Sequence, residues 1–385
     1  MSGSASMLRR PPRPPIRALV LAALVVAATC TPFVSPAPSP VATRAPDIQR
    51  AKLDMVFSGL VSASYFKPSG RDLLVAALDA MRRLARDSSG SDDVATPRFT
   101  GTEDSALADF RLFAAAAEDL ATKNPRIASR RFGDAGIRAM LQLKPDCHTY
   151  YRPGAGTERP DIGAAAAQPD ERTDHLPDRT TSRVDGVAAP LGANVRFQLL
   201  AGGVGYVAWH AFDTFVFDDV RKALDQLVAQ EARSWLLDLR GNVGGAPPQS
   251  MASWFVNDGV LWRDLEPDGR TIDVSAQRGF YLPARYQLPI AIVIDHGTGS
   301  SPEFLTVALQ QRGRARVFGA TSAGCLGSFQ AVNLPDGSFL AITSNLSIGP
   351  VLNTPINGVG IVPDEHVGSS DPVDVAAEYL RRLSS

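Results

Sequence analysis

The order of hydrophobic patterns along the chain predicts an α/β protein whose core is preceded by a small helical domain. Two observations carry this. From Ile48 to about Leu143, stretches such as RDLLVAALDAMRRLAR and SALADFRLFAAAAEDLAT place apolar residues three and four apart, the spacing of amphipathic helices. From Asn194 onward, short apolar runs alternate with amphipathic segments, the pattern of strands layered with helices.

In chain order, Arg9, Arg10, Arg13 and Arg17 precede an apolar run from Ala18 to Ala28, the charged-then-apolar order of an export signal. The run is too short to cross a bilayer as a helix. It ends in VAATC, so Cys30 is either the lipid-modified cysteine of a lipoprotein or lies close to an ordinary cleavage site. Residues 1–30 are thus read as signal and 31–46, rich in Pro, Ser and Ala, as an extended tether. Residues 47–150 form the helical domain. Residues 151–193 are rich in Gly, Pro and charge without a sustained period, and are read as an irregular loop.

Residues 194–385 make up the core domain. VRFQLL and VGYVAWHAF read as strands, FDDVRKALDQLVAQEA as an amphipathic helix, and SWLLDLRG as a strand running into a glycine-rich turn. LPIAIVID is a continuous apolar run, expected where a strand is covered on both faces, and in SPEFLTVALQQRG Pro302 suits a first helical turn. ARVFGAT, SFQAVNL and FLAITSN follow as strands, and DVAAEYLRRL closes the chain as a helix. Composition fits a folded protein of this size: of 385 residues, 44% are apolar and 21% charged. With 39 basic against 40 acidic residues, mixed along the chain, no footprint for nucleic acid or anionic lipid exists. Membrane association is expected only through a lipid on Cys30.

Chemistry concentrates at three places. In IVIDHGTGSSPEF a buried strand ends, glycines turn the chain, and Ser300 and Ser301 stand where a helix begins; free amides and a positive dipole end there suit a developing oxyanion. Ser300 followed by Glu303 reads equally as a capping box. The G-x-S-x-G of a nucleophile elbow is missing, which argues against an α/β-hydrolase. In LLDLRGNVGG, Gly244 and Gly245 let backbone approach a ligand. In LKPDCHTYYRP, His148 offers the usual base for a serine hydroxyl. Of the other histidines, His175 lies in the loop, His210 in a strand read as alternating, and His366 after the closing turn, while His296 is a reserve base four residues before Ser300.

Taken together and in order, GYVAWHAF, LLDLRGNVGG, HGTGSSPEF, GRARVFGATSAG, LPDGSFLAITS and INGVGIVPD resemble the tail-specific, or C-terminal-processing, serine peptidases, a family that includes the tricorn core and the interphotoreceptor retinoid-binding modules. The resemblance implies an α/β core related to the ClpP and crotonase spiral of repeated ββα units. It implies Ser300 as nucleophile, and the Ser301 and Gly244 amides, or Gly245 by a shift of one, as oxyanion hole. The catalytic lysine of the tail-specific branch is missing: Cys325 stands at its place. The tricorn-like and retinoid-binding-like branches carry a D-x-H motif instead, which DCHT matches at His148. Where those branches have a Glu, this chain has Asn357, so Asn357 or Asp146 is expected to orient the imidazole. Residues 151–193 are too few for the PDZ domain often found at that point in the family.

The resemblance places Cys147 and Cys325 beside the same serine. In an exported protein whose Cys30 is lipidated or removed, it therefore implies a Cys147–Cys325 disulfide, the alternative being two buried thiols. No metal or organic cofactor is required, the three cysteines being too scattered for a zinc site. The expected function is an exported serine endopeptidase of Ser–His type acting on peptides or proteins. Two alternatives share the core: a catalytically inactive binding protein, and an esterase or amidase acting on small substrates.

Overall fold

The computed structural model describes residues 47–152, 189–191, 194–353 and 355–384. The export signal, the tether, Cys30 and His175 lie outside the described residues. Four helices come first: α1 (Arg50–Ala63), α2 (Gly70–Asp87), α3 (Ala106–Lys123) and α4 (Ser129–Gln142). In α2 the stripe of Leu73, Leu74, Ala77, Leu78, Met81 and Ala85 is buried, and the Ser69 side chain accepts from the Asp72 amide to cap the first turn.

Two sheets follow. One holds seven strands, in the order β12 (Glu365–His366), β9 (Ala315–Gly319), β8 (Ile290–Ile294), β5 (Ser234–Asp238), β4 (Val204–Trp209), β3 (Val195–Leu200) and β2 (Ala189–Leu191). The strands from β12 to β4 are parallel, and β3 and β2 join antiparallel. Every residue of β4, β5 and β8 is buried. That is the burial expected of parallel strands covered on both faces, here by α5 (Val216–Ala229) and α7 (Ser301–Gln311) in one apolar cluster and α8 (Pro372–Ser384) in another. The expectation of alternating outward residues before His210 is therefore corrected: β4 is buried throughout and His210 follows its last residue.

The second sheet is antiparallel. Its long strand β11 (Phe339–Ile348) pairs β1 (Tyr150–Arg152) and β10 (Gly327–Asn333), and through β6 (Val260–Leu265) reaches β7 (Thr271–Ser275). The short helix α6 (Gln249–Ser253) lies between β5 and β6 in the chain. The reading of 151–193 as irregular needs correction at both ends, since Tyr151 and Arg152 belong to β1 and residues 189–191 form β2. The sequence signal fails there because three-residue strands take their pairing from neighbours rather than from their own pattern.

The helices do not enclose a core of their own. Tyr151, Leu340 and Ile342 of the antiparallel sheet, and Leu334 from the turn between β10 and β11, are buried in the cluster that α1–α4 contribute to. Lys52 of α1 is buried too, donating to the Tyr151 hydroxyl at 2.9 Å and to Asp336 at 2.9 Å. The described residues fall in one compact unit, Ala45–Ser385. A Leu340→Ala variant is expected to lose about 2–5 kcal/mol of stability, with helical and aromatic circular dichroism signals melting together; a separate helical transition would show that the helices do not share the sheet's core.

Candidate active site

The site is assembled where β5 and β8 end side by side. The Asp295 carboxylate accepts from the Gly241 amide at 2.8 Å and the Gly297 amide at 2.9 Å, and the Thr298 hydroxyl donates to the Leu239 carbonyl at 2.9 Å. The Gly299 amide donates to the Asn242 carbonyl at 2.9 Å. These bonds stitch the two strand-end loops together and set Ser300 against the glycine turn.

Ser300 has φ 68° and ψ −120°, a left-handed conformation disfavoured for a residue with a Cβ. It is the N-cap of α7, and Ser300 and Glu303 form the reciprocal capping pair. The Glu303 carboxylate accepts the Ser300 amide at 2.8 Å, the Gly324 and Cys325 amides at 2.8 Å each, and the Ser322 hydroxyl at 2.5 Å. Burial raises the pKa of this carboxyl, against the lowering effect of those donors. Capping and chemistry are compatible here, because the Ser300 hydroxyl also faces another group: its Oγ is 3.2 Å from Nε2 of His148. That is hydrogen-bond distance for a nucleophile and its base.

His148 is 6% exposed and stacked on Phe329, with ring centroids 5.9 Å apart. Asp146 fixes its turn by accepting the His148 amide at 2.9 Å and the Thr149 amide at 3.0 Å, and it also accepts the Thr343 hydroxyl. Burial lowers the imidazole pKa and the Asp146 charge opposes it; the net shift is downward from the ordinary value. The neutral, proton-accepting form therefore persists to lower pH.

Cys147 and Cys325 are joined as a disulfide, with Cα atoms 5.8 Å apart. It ties the His148 turn to the segment held by Glu303. Neither Asp146 nor Asn357 hydrogen-bonds the imidazole among the described residues. His148 Nδ1 lies 3.8 Å from Cys147 Sγ, and Asn357 Oδ1 lies 3.9 Å from the same sulfur. A disulfide sulfur has no proton to give, so the Asn357 contact is packing, and at Nδ1 the sulfur can serve only as a weak acceptor of the ring N–H. One Asp146 oxygen, Oδ2, is buried without a hydrogen-bond partner among the described residues.

Of the glycines, Gly244 has φ 93°, and a Cβ there would stand 2.6 Å from Ser300 Cβ. No other residue fits so close to the serine. Its amide, however, donates to the Asn242 side chain at 3.0 Å. The Gly245 carbonyl accepts the Ser301 hydroxyl at 3.0 Å, while the Gly245 and Ser301 amides make no hydrogen bond among the described residues. Between the two glycines, Gly245 thus has the available donor. His296 is exposed and makes no hydrogen bond to Ser300, and His366 is exposed on β12.

Sequence reading missed three contributors. Glu303 was visible only as half of a capping pair, and its links to Ser322, Gly324 and Cys325 span sequence gaps that no local motif reveals. Asp295 and Phe329 carried no signal, since their partners are set by the sheets. The strain at Ser300 gives a check independent of activity. Ser300→Gly is expected to be more stable than Ser300→Ala by about 1 kcal/mol in denaturant unfolding, because both lose the hydroxyl but only glycine relieves the positive φ; equal stabilities would mean that the turn is unstrained.

Comparison with known proteins finds similarity over the core of the chain. Residues 203–367, which hold the glycine turn, Ser300 and Asn357 but not His148, match peptidase family S41. Over 177 residues the chain is 32% identical to carboxyl-terminal-processing peptidase 2, chloroplastic, of Arabidopsis thaliana, covering 45% of this chain and 34% of that protein. It is also 32% identical over 177 residues to the carboxyl-terminal-processing protease of Picosynechococcus sp., covering 45% and 41%. The chain thus spans well under half the length of these relatives. Among solved structures, the photosystem II D1 C-terminal processing protease aligns with 81% of this chain and 97% of its own at 20% identity and a TM-score of 0.47. The matched region and the two relatives give one similarity: residues 203–367 match peptidase family S41, and the chain is similar over 177 residues to carboxyl-terminal-processing peptidases.

Proposed function

We propose that the chain is an exported serine endopeptidase working through a Ser–His pair. The observation that carries the reading is the 3.2 Å separation of Ser300 Oγ and His148 Nε2. Ser300 Oγ attacks the peptide carbonyl carbon as its proton passes to His148 Nε2. The C–N bond then breaks and the same proton leaves on the amine. Water, deprotonated by His148, releases the acyl group and restores the serine. The amides of Ser301 and Gly245 are the donors for the oxyanion, with Gly244 serving as the residue whose missing Cβ lets the turn close on Ser300.

A charge partner for the imidazolium is supplied by Asp146 through space, since its carboxylate raises the His148 pKa without a hydrogen bond to the ring. Asn357 acts as wall, packed on the disulfide. Cys325 in place of a lysine leaves His148 as the base near the serine. Export rests on the charged and apolar pattern of residues 1–30, which lie outside the described residues.

A fluorophosphonate probe is expected to label the protein at Ser300, with labelling abolished in Ser300→Ala and slowed roughly 100-fold or more in His148→Ala. Labelling that persists in Ser300→Ala would overturn the assignment. The rate should rise with pH as His148 loses its proton and then level off. Because the imidazole pKa is depressed, half-maximal rate should fall below pH 6.5; a midpoint above 6.5 would contradict the burial of the base.

A further inference from the structure

A histidine that takes a proton from a serine must present a bare Nε2, so its own proton sits on Nδ1. The group that Nδ1 meets fixes that tautomer. Here it is neither a carboxylate nor an amide. Asp146 spends Oδ1 on the His148 and Thr149 amides and the Thr343 hydroxyl, and its Oδ2 has no hydrogen-bond partner among the described residues. Asn357 packs on sulfur. Phe329 stacks on the ring and sets its plane, but stacking does not select which nitrogen carries the proton. Within hydrogen-bond range of Nδ1 stands Cys147 Sγ, at 3.8 Å, one half of the Cys147–Cys325 disulfide.

The oxidation state of this sulfur decides what it does to the ring. A disulfide sulfur carries no proton and only accepts, so it tolerates Nδ1–H and nothing else. A thiol at the same place also donates. Its S–H, turned on Nδ1, puts the ring proton on Nε2 and leaves no lone pair for the Ser300 hydroxyl. Breaking the bond has a second effect, because it unties the His148 turn from the 322–325 segment. That segment is held independently, by the Glu303 carboxylate through the Ser322 hydroxyl and the Gly324 and Cys325 amides. Cys147 and Cys325 are both half-buried rather than sealed in the core, so a small dithiol has access to them.

We propose that the Cys147–Cys325 disulfide is the positioning element of the base and thereby a redox switch. Oxidised, it holds His148 with its proton on Nδ1 and the site is active; reduced by a dithiol, it releases the ring and the site is off. The proposal rests on the Ser300–His148 reading above. Reduction is a two-electron exchange. A thiolate of the dithiol attacks one sulfur, the S–S bond breaks and a mixed disulfide forms; the second thiol of the reductant then displaces the cysteine. Two protein thiols and a cyclic disulfide of the reductant remain.

Two measurements test this. In the first, fluorophosphonate labelling of Ser300 is timed in the oxidised protein, after dithiothreitol, and after reoxidation with glutathione disulfide. Reduction is expected to slow labelling about tenfold or more, and reoxidation to restore it. The double variant Cys147→Ala, Cys325→Ala, which keeps Cys30, should label at the slow rate with or without dithiothreitol. Equal rates before and after reduction overturn the proposal. So does a slowed rate accompanied by loss of the far-ultraviolet circular dichroism signal, which would make the bond a staple of the fold instead. In the second, nitrogen-15 spectra of histidine-labelled Ser300→Ala protein, at a pH where the imidazole is neutral, read the tautomer of His148 with no catalysis needed; signals lost on adding His148→Ala assign it. The proton should sit on Nδ1 in the oxidised protein, and the Nε2-protonated form should gain on reduction. A proton on Nε2 in the oxidised protein, or a tautomer unchanged by reduction, overturns the proposal. If Ser300 is labelled equally in both states, this inference alone fails. If the tautomer follows the disulfide but Ser300 is not labelled, the Ser–His reading fails and only the positioning of the ring stands.

Discussion

The site depends on one buried carboxylate. Glu303 is fully buried on the first turn of α7 and accepts four hydrogen bonds, from the amides of Ser300, Gly324 and Cys325 and from the Ser322 hydroxyl. Burying a carboxylate costs several kcal/mol unless its oxygens are satisfied, so the chain must keep all four donors converged. Convergence holds Ser300 at its positive φ and brings the 322–325 segment beside it. Cys325, fixed in this way, reaches Cys147 through the disulfide, and the next residue, His148, is thereby carried to Ser300 Oγ. Ser300 and His148, 152 residues apart in sequence, are thus positioned from one hub.

The core sheet was largely legible in the sequence because its strands speak for themselves. IAIVI and SWLLD are buried on both faces, and a continuous apolar run has few other solutions. The α2 and α3 helices were legible from their three-and-four spacing. What was hidden depends on pairing across distance. β1 and β2 are three residues each and exist because β11 and β3 offer edges. The stretch containing β6 and β7 carries charges and turns that mask its alternation, as the exposed Thr271, Ile272 and Asp273 show.

The candidate site was legible as a set of residues but not as a geometry. The pairing of Cys147 with Cys325 and the meeting of His148 with Ser300 agree with the order of motifs. The finer roles required coordinates. Of the adjacent glycines, sequence cannot say that Gly244 spends its amide on Asn242. Nor can it say that Asn357 faces a sulfur rather than the imidazole, because that depends on where the 356–361 turn lies against Gly324, whose carbonyl takes the Gly358 amide at 2.7 Å. Asparagine rather than a carboxylate at 357 suits this setting. With a disulfide sulfur between it and the ring, a charge there would lack a partner.

The account stands or falls on a covalent bond between substrate and Ser300. Acid-quenched turnover of an acetyl-leucine p-nitrophenyl ester, followed by peptide mass mapping, tests it most directly. The account predicts an acetyl-leucyl mass on the peptide containing Ser300, lost in Ser300→Ala and strongly reduced in His148→Ala. An acyl mass on any other residue, or one that accumulates equally in Ser300→Ala, would contradict it.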